Sequence, residues 1–367
     1  MQVVKKITQV QLFFIIIQAQ VGIGIISLPS SVAKYSKGDA WISVILAGVF
    51  ALICILLMWL LNRRFPTLTI FEMMNDIVGK YIAWFIKIAY IAYFFSVATL
   101  TVLRFVQTVN LWVLPRTPVW IVSIIFIAIC VYCAKENLKV IARFCMLISI
   151  FLVVLFILTL YILKDVNYLN ILPVGESGIK NIFKGSSKVI TSSLGFEVIL
   201  VLFPYCLGKN SGKLKVLLLA NGLVTIFYVF ITFVVLAYFG PASLKIIPEP
   251  ILYMLKYQSF KIIERTDLVF FSIWIVTVAA TLIIYLYITS KGLSNIFTNT
   301  KRSIITFYIA TILFLLVLIV PINDKVIGVL EVYLSLASYL FIFVLPFILL
   351  IVSVLQGKKD GSKAVQL

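Results

Sequence analysis

Apolar residues along this chain run in blocks of roughly 18 to 30, separated by short charged segments, the length an α-helix needs to cross ~30 Å of hydrocarbon. Ten such blocks predict ten spans: 10 to 33, 40 to 62, 81 to 113, 118 to 134, 142 to 163, 187 to 208, 214 to 239, 267 to 290, 303 to 320 and 329 to 355. The short alternating segments of a membrane barrel are missing, so the pattern predicts an all-α membrane protein of about ten transmembrane helices. No small-residue cleavage site follows the first block, and it is too long for a signal-peptide core, so it is read as a retained span.

Composition agrees. Hydrophobic residues make up 63% of the 367 and charged residues 12%, against about half and a quarter in a soluble domain. A net charge of +18 would suggest nucleic acid as the partner of a soluble chain; here the positive-inside rule accounts for it, and no nucleic-acid role is expected. With both termini in the cytoplasm, Lys5, Lys6, Arg63, Arg64, Lys80, Lys135, Lys139, Arg143, Lys209, Lys213, Lys215, Lys291, Lys301, Arg302, Lys358, Lys359 and Lys363 lie inside. The three short outer loops then hold only Lys34, Lys37, Arg116 and Lys325, and two longer outer segments cover about 164 to 188 and 240 to 266.

The chain has no histidine, which removes His-based catalysis, His metal ligation and a His proton relay. Cys130 and Cys133 form a CxxC within the fourth span, but no second ligand pair accompanies it, and thiols in such a helix read as packing residues. No catalytic residue, metal or cofactor is expected, and no enzyme.

The ten blocks divide into two sets of five, and the first block of each carries helix breakers: Gly22, Gly24 and Pro29 in span one, Gly195 and Pro204 in span six. Breakers at matching places in two halves predict a five-plus-five inverted repeat whose discontinuous helices one and six meet at a midplane binding site. The expected organisation is one integral membrane domain over 1–367: a first repeat at about 8–163, a second at about 187–355, and a short cytoplasmic tail at 356–367. Unwound backbone is tolerable there only where it lines a cavity. The run Gly22-Ile23-Gly24-Ile25-Ile26-Ser27 lacks the third glycine and the βαβ surroundings of a nucleotide loop.

On span three, Lys87, Tyr90, Tyr93, Val97, Thr101, Arg104 and Thr108 follow steps of three and four, which puts them on one stripe; Trp274, Thr277, Thr281 and Tyr285 do the same on span eight. Any one Thr or Tyr could merely satisfy backbone carbonyls. Two stripes on helices flanking the broken pair suggest a lined cavity. Buried charge costs ~2.5 to 3.5 kcal/mol even on the lenient insertion scale, so Glu197, two residues after Gly195, invites explanation. It could accept hydrogen bonds from freed backbone N–H groups or pair with Arg104 or Lys87; equally it could be a cation or proton site, or face a ligand amine. Glu331 lies nearer a helix end and could reach the interface.

Four segments in order carry a family resemblance: Thr8 to Pro29 with its Gly-Ile-Gly run, Arg116-Thr117-Pro118, Leu194-Gly195-Phe196-Glu197-Val198 with Pro204, and Glu264-Arg265 leading to Trp274. Together they resemble the spore-germination permeases, the B subunits of nutrient germinant receptors, across essentially the whole chain. The resemblance implies the fold of the amino acid–polyamine–organocation transporters. It also implies a role in sensing small nutrients such as amino acids in the spore inner membrane. The implied partners are a membrane A-type subunit and a C-type lipoprotein. Arg104 has no counterpart in the amino-acid transporter pattern.

On this reading a zwitterion's carboxylate lies against N–H groups of Gly22, Ile23, Gly24 and Ile25 at a positive half-helix end. Its amine faces carbonyls of the broken helices, Tyr93, Val97, Leu194 and Thr281 set the side-chain volume, and Gly195, Phe196 and Thr277 complete the expected ligand-binding residues. A proton-coupled amino acid transporter working through Glu197, or a water or ion conduit, would need the same polar path.

Overall fold

The computed structural model describes residues 6–257 and 265–360, so Lys5, Glu264, Lys363 and most of the expected tail lie outside the described residues. Span one is two helices, α1 (Gln9–Gln20) and α2 (Gly24–Ser36), separated by three non-helical residues. Thr8 starts α1 with a capping box: its hydroxyl accepts the Gln11 N–H at 3.2 Å, and its own N–H donates to the Gln11 side chain at 3.0 Å. Then follow α3 (Ala40–Arg64), the short α4 (Ile70–Val78), the long α5 (Lys80–Trp112), α6 (Val119–Ala134), and α7 (Leu138–Ile148) with α8 (Ile150–Tyr161) as span five.

Span six is also broken. It consists of α9 (Ile179–Ser192), a turn at Gly195, and a short run through α10 (Ile199–Leu202) to Tyr205, bent by 52° overall. The rest comprises α11 (Asn210–Ser243), α12 (Pro250–Tyr257), α13 (Thr266–Ile296), α14 (Arg302–Ile319), and α15 (Asp324–Tyr339) joined through a π-helical turn at Leu340–Val344 to α16 (Leu345–Leu355).

Each of the ten apolar blocks falls on one helix or one broken pair. By length and apolarity alone, seven helices among the described residues qualify as spans, or eight if the bent pair counts as one. The difference from ten has two sources. The break in span one leaves α1 only 12 residues long and runs α2 into α3 through a tight turn, and α6 has only 16 residues.

One boundary moves. The outer segment expected to reach residue 188 ends at 178, because α9 begins at Ile179. Lys180, Lys184 and Lys188 lower the apparent hydropathy of a turn-by-turn amphipathic helix.

The helices are inverted relative to a soluble bundle. Ile45, Val49, Ile53, Leu56 and Leu60 form an exposed apolar stripe on α3, while Gln18, Gln20, Asn221 and Glu197 are buried. Such a surface suits lipid, and the chain fits a multi-pass membrane protein. In the centre α1 packs between α11 and α13, α2 lies along α9, and α5 lies along α13. The five cysteines are free; Cys130 is buried in contact with α13, as a packing residue would be.

Candidate functional site

The two breaks touch through glycine. A Cβ on Gly195, whose φ is +137°, would fall 2.4 Å from the Ala19 carbonyl carbon, and one on Gly24 would fall 2.6 Å from the Ser192 carbonyl oxygen. Neither contact can relax without moving backbone, so these glycines let the gaps of spans one and six interlock. Gly22 plays a related part against α13, where a Cβ would meet the Thr281 hydroxyl at 2.7 Å.

At the end of α1 the freed carbonyls have partners. The Thr281 hydroxyl donates to the Gln18 carbonyl and the Tyr228 hydroxyl to the Gln20 carbonyl, each at 2.8 Å. The Gln20 amide donates to the Ser193 carbonyl at 3.2 Å and to Asn221 at 3.1 Å, while Asn221 donates on to the Gly48 carbonyl at 3.2 Å. The other side of the gap is different. Among the described residues no side chain caps α2, although the first N–H groups of any helix lack intrahelical acceptors.

Span six answers its own break. Glu197, 1% exposed, accepts the Gly195 N–H at 2.8 Å and the Tyr285 hydroxyl at 2.5 Å. This is the backbone alternative weighed above; pairing with Arg104 or Lys87 is not what forms. Lys87 donates to Asn295 at 3.0 Å. Arg104 holds Glu331 at 2.7 Å and has Asp324 at 3.8 Å, so Glu331 forms an ion pair across to span three. A cation from span three so close invites a carboxylate to turn toward it.

Three cavities share Ile23 and form a path. The innermost, about 30 Å³, is walled by Gly22, Ile23, Gly24, Val97, Leu194, Thr281 and Tyr285 among others. A neck of about 100 Å³ follows, bounded by Ile23, Gly24, Arg104, Lys188, Thr191 and Glu331. Beyond it a vestibule of about 780 Å³ opens between Lys34, Pro115, Pro248 and Ile322. Glu249 lines this vestibule and accepts from Trp112 and Thr108; burial raises its carboxyl above the ordinary range, and those two hydrogen bonds oppose the rise. At the opposite end the Ile7 N–H donates to the Tyr205 carbonyl at 2.9 Å, and the Leu207 N–H to the Ile7 carbonyl at 2.8 Å.

The expected site residues therefore separate. Gly22, Ile23, Gly24, Val97, Leu194 and Thr281 come together at the inner cavity. Ile25, Tyr93, Gly195, Phe196 and Thr277 do not line any of the three. Tyr93 is stacked on Phe341 at 4.8 Å, with its hydroxyl buried beside Glu197. The Thr277 hydroxyl turns back to the Trp274 carbonyl at 2.8 Å. The stripe on span three nevertheless follows the path, with Val97 and Thr101 inside, Arg104 at the neck and Thr108 in the vestibule. Sequence reasoning missed Gln20, Thr191, Ser192 and Lys188. The fourfold spacing of lysines up to Lys188 was the available signal. Arg265, beside the undescribed Glu264, pairs with Asp267 at 2.8 Å.

The pattern of the spore germination protein family of spore permeases matches residues 6–327. The chain belongs to that family. It is similar over its length to spore germination protein YndE of Bacillus subtilis (strain 168), at 29% identity over 368 residues covering 98% of both chains. It is also similar to spore germination protein GerQB of Bacillus cereus, at 24% identity over 349 residues, 94% of this chain and 95% of the relative. Among solved structures it resembles MhsT in complex with L-phenylalanine, with a TM-score of 0.67 and 15% identity over 95% of this chain and 89% of that one. The fold is thus that of a transporter, and the family is permease-like, not one of enzymes.

Proposed function

We propose that this chain is the nutrient-sensing membrane subunit of a spore germination receptor, taking a small amino-acid-type ligand at the gap in its first span. The observation that carries this is the uncapped start of α2, whose residues Ile23 and Gly24 border the inner cavity and the neck while the carbonyls across the gap already have partners. A half-helix start carries partial positive charge and unsatisfied donors, which suit a carboxylate. Val97, Leu194 and Thr281 border the small inner cavity and would bound the ligand's side chain. The solved relative in fold has L-phenylalanine bound, which supports a ligand of this class.

In this reading the chain is one membrane domain of two five-helix repeats with discontinuous helices one and six. It sits in the spore inner membrane with both termini cytoplasmic, so the vestibule opens outward. Ligand binding favours one arrangement of the broken helices and passes that bias to an A-type membrane subunit and a C-type lipoprotein. That requires different affinity for the two arrangements. The competing reading is a proton-coupled transporter, and the buried Glu197 beside the second break is what favours it.

Two assays separate the readings: an amino-acid panel scored on spores carrying the chain with its partner subunits, and uptake into liposomes holding the chain alone. A germination response to at least one amino acid, with no accumulation by the lone chain, is the receptor result. Accumulation against a gradient would replace it with the transporter.

A further inference from the structure

The neck is bordered by two cations, Arg104 and Lys188, and one carboxylate, Glu331. Arg104 is already committed, since Glu331 holds it at 2.7 Å and Asp324 lies at 3.8 Å. Lys188 makes no ion pair among the described residues; its ammonium lies 5.6 Å from the Tyr35 ring centre, a weak cation–π contact. Beside it on the same wall, the Thr191 hydroxyl is buried and has no hydrogen-bond partner among the described residues. The uncapped start of α2 at Ile23 and Gly24 borders the same space. Three kinds of donor thus border the same space of about 100 Å³, and among the described residues Lys188 has no ion pair and the Thr191 hydroxyl no hydrogen-bond partner.

The approach points the same way. Lys180, Lys184 and Lys188 recur every four residues of α9, so a cationic row runs along one face from its exposed start to the neck. A zwitterion approaching along that row would be oriented with its carboxylate toward it.

We infer that Lys188 is the counter-cation for the ligand's carboxylate, which it holds together with the Thr191 hydroxyl against the start of α2. The inference rests on the proposed ligand class but adds what the breaks alone do not give, a charged residue that recognises the carboxylate. An ammonium–carboxylate hydrogen bond in a confined site is about twice as strong as a neutral one. Lys188 therefore makes the site distinguish an acid from its amide.

The test uses thermal stabilisation of the purified full chain in nanodiscs, as wild type, Lys188→Gln and Lys188→Arg. The probes are the twenty L-amino acids, their carboxamides, and the amine-free carboxylates propionate and lactate. The wild type binds the preferred amino acid at least about tenfold more tightly than its carboxamide. Lys188→Gln erases that preference while leaving the carboxamide affinity within about twofold, and Lys188→Arg restores it. A residue that merely packs over Tyr35 would lower the melting temperature without changing the acid-to-amide ratio.

Equal weakening of acid and amide in Lys188→Gln, or no weakening of either, overturns the role of Lys188 and leaves the amino-acid reading standing. Stabilisation by propionate or lactate that Lys188→Gln abolishes, with no amino acid effective, sinks the amino-acid reading and keeps Lys188 as the carboxylate contact. No stabilisation by any carboxylate overturns both.

Discussion

The two broken spans look alike in sequence and differ in how their gaps are satisfied. In span six the unwound backbone is met from within: Glu197 accepts the Gly195 N–H, and Tyr285 from α13 completes the carboxylate's shell. In span one only half the gap is met. The carbonyls of Gln18 and Gln20 receive hydroxyls from Thr281 and Tyr228, whereas the start of α2 has no cap. Buried backbone polar groups are otherwise almost always paired. One gap is thus closed by Glu197 and Tyr285 while the other keeps an uncapped start of α2, so the recurrence of a glycine break identifies a pair of helices but not how each gap is satisfied.

The strongest way to break the comparison is at the closed gap. Gly195→Ala forces a side chain into a φ of +137° and against the backbone of Ala19 and Gln20. Strain and overpacking together are worth roughly 2 to 6 kcal/mol, so the variant should melt far below wild type or fail to accumulate. Wild-type abundance and melting in detergent would show that the gaps are not interlocked.

Glu197→Gln comes next. It keeps one acceptor but removes the charge from two short hydrogen bonds, a loss of roughly 1.5 to 3 kcal/mol. A structural role predicts a lower melting temperature with the ligand preference intact. Unchanged melting with a lost germination response, or with a response that no longer depends on pH, would move Glu197 into the site as a cation or proton group.

The smallest effect sharpens the other gap. Val97 lines the inner cavity, and a methylene there is worth roughly 1 to 3 kcal/mol of discrimination. Val97→Ala and Val97→Phe should reorder which amino acids trigger germination, scored on spores. A uniform loss across the panel would remove Val97 from the side-chain wall.

Much of this was legible in the chain. Block length and hydropathy located the ten long apolar segments but not α4, α12 or the start of α9, and the steps of three and four on span three traced the path through Val97, Thr101, Arg104 and Thr108. Where the reading failed, the deciding contact lies between helices. Glu331 is remote from Arg104 in sequence and becomes its partner only when α15 packs on α5. Thr277 shares a stripe with Thr281, yet one hydroxyl returns to its own helix and the other crosses to α1. Lysines in α9 disguised a helix as a loop, and so hid Lys188.

The most direct test of the central claim is an experimental structure of the chain bound to the amino acid that stabilises it best. The account predicts the ligand in the inner cavity and neck, its carboxylate within hydrogen-bonding distance of the Ile23 or Gly24 N–H and its side chain against Val97, Leu194 and Thr281. A ligand confined to the vestibule, or a carboxylate turned away from the start of α2 toward the span-six break, would contradict it.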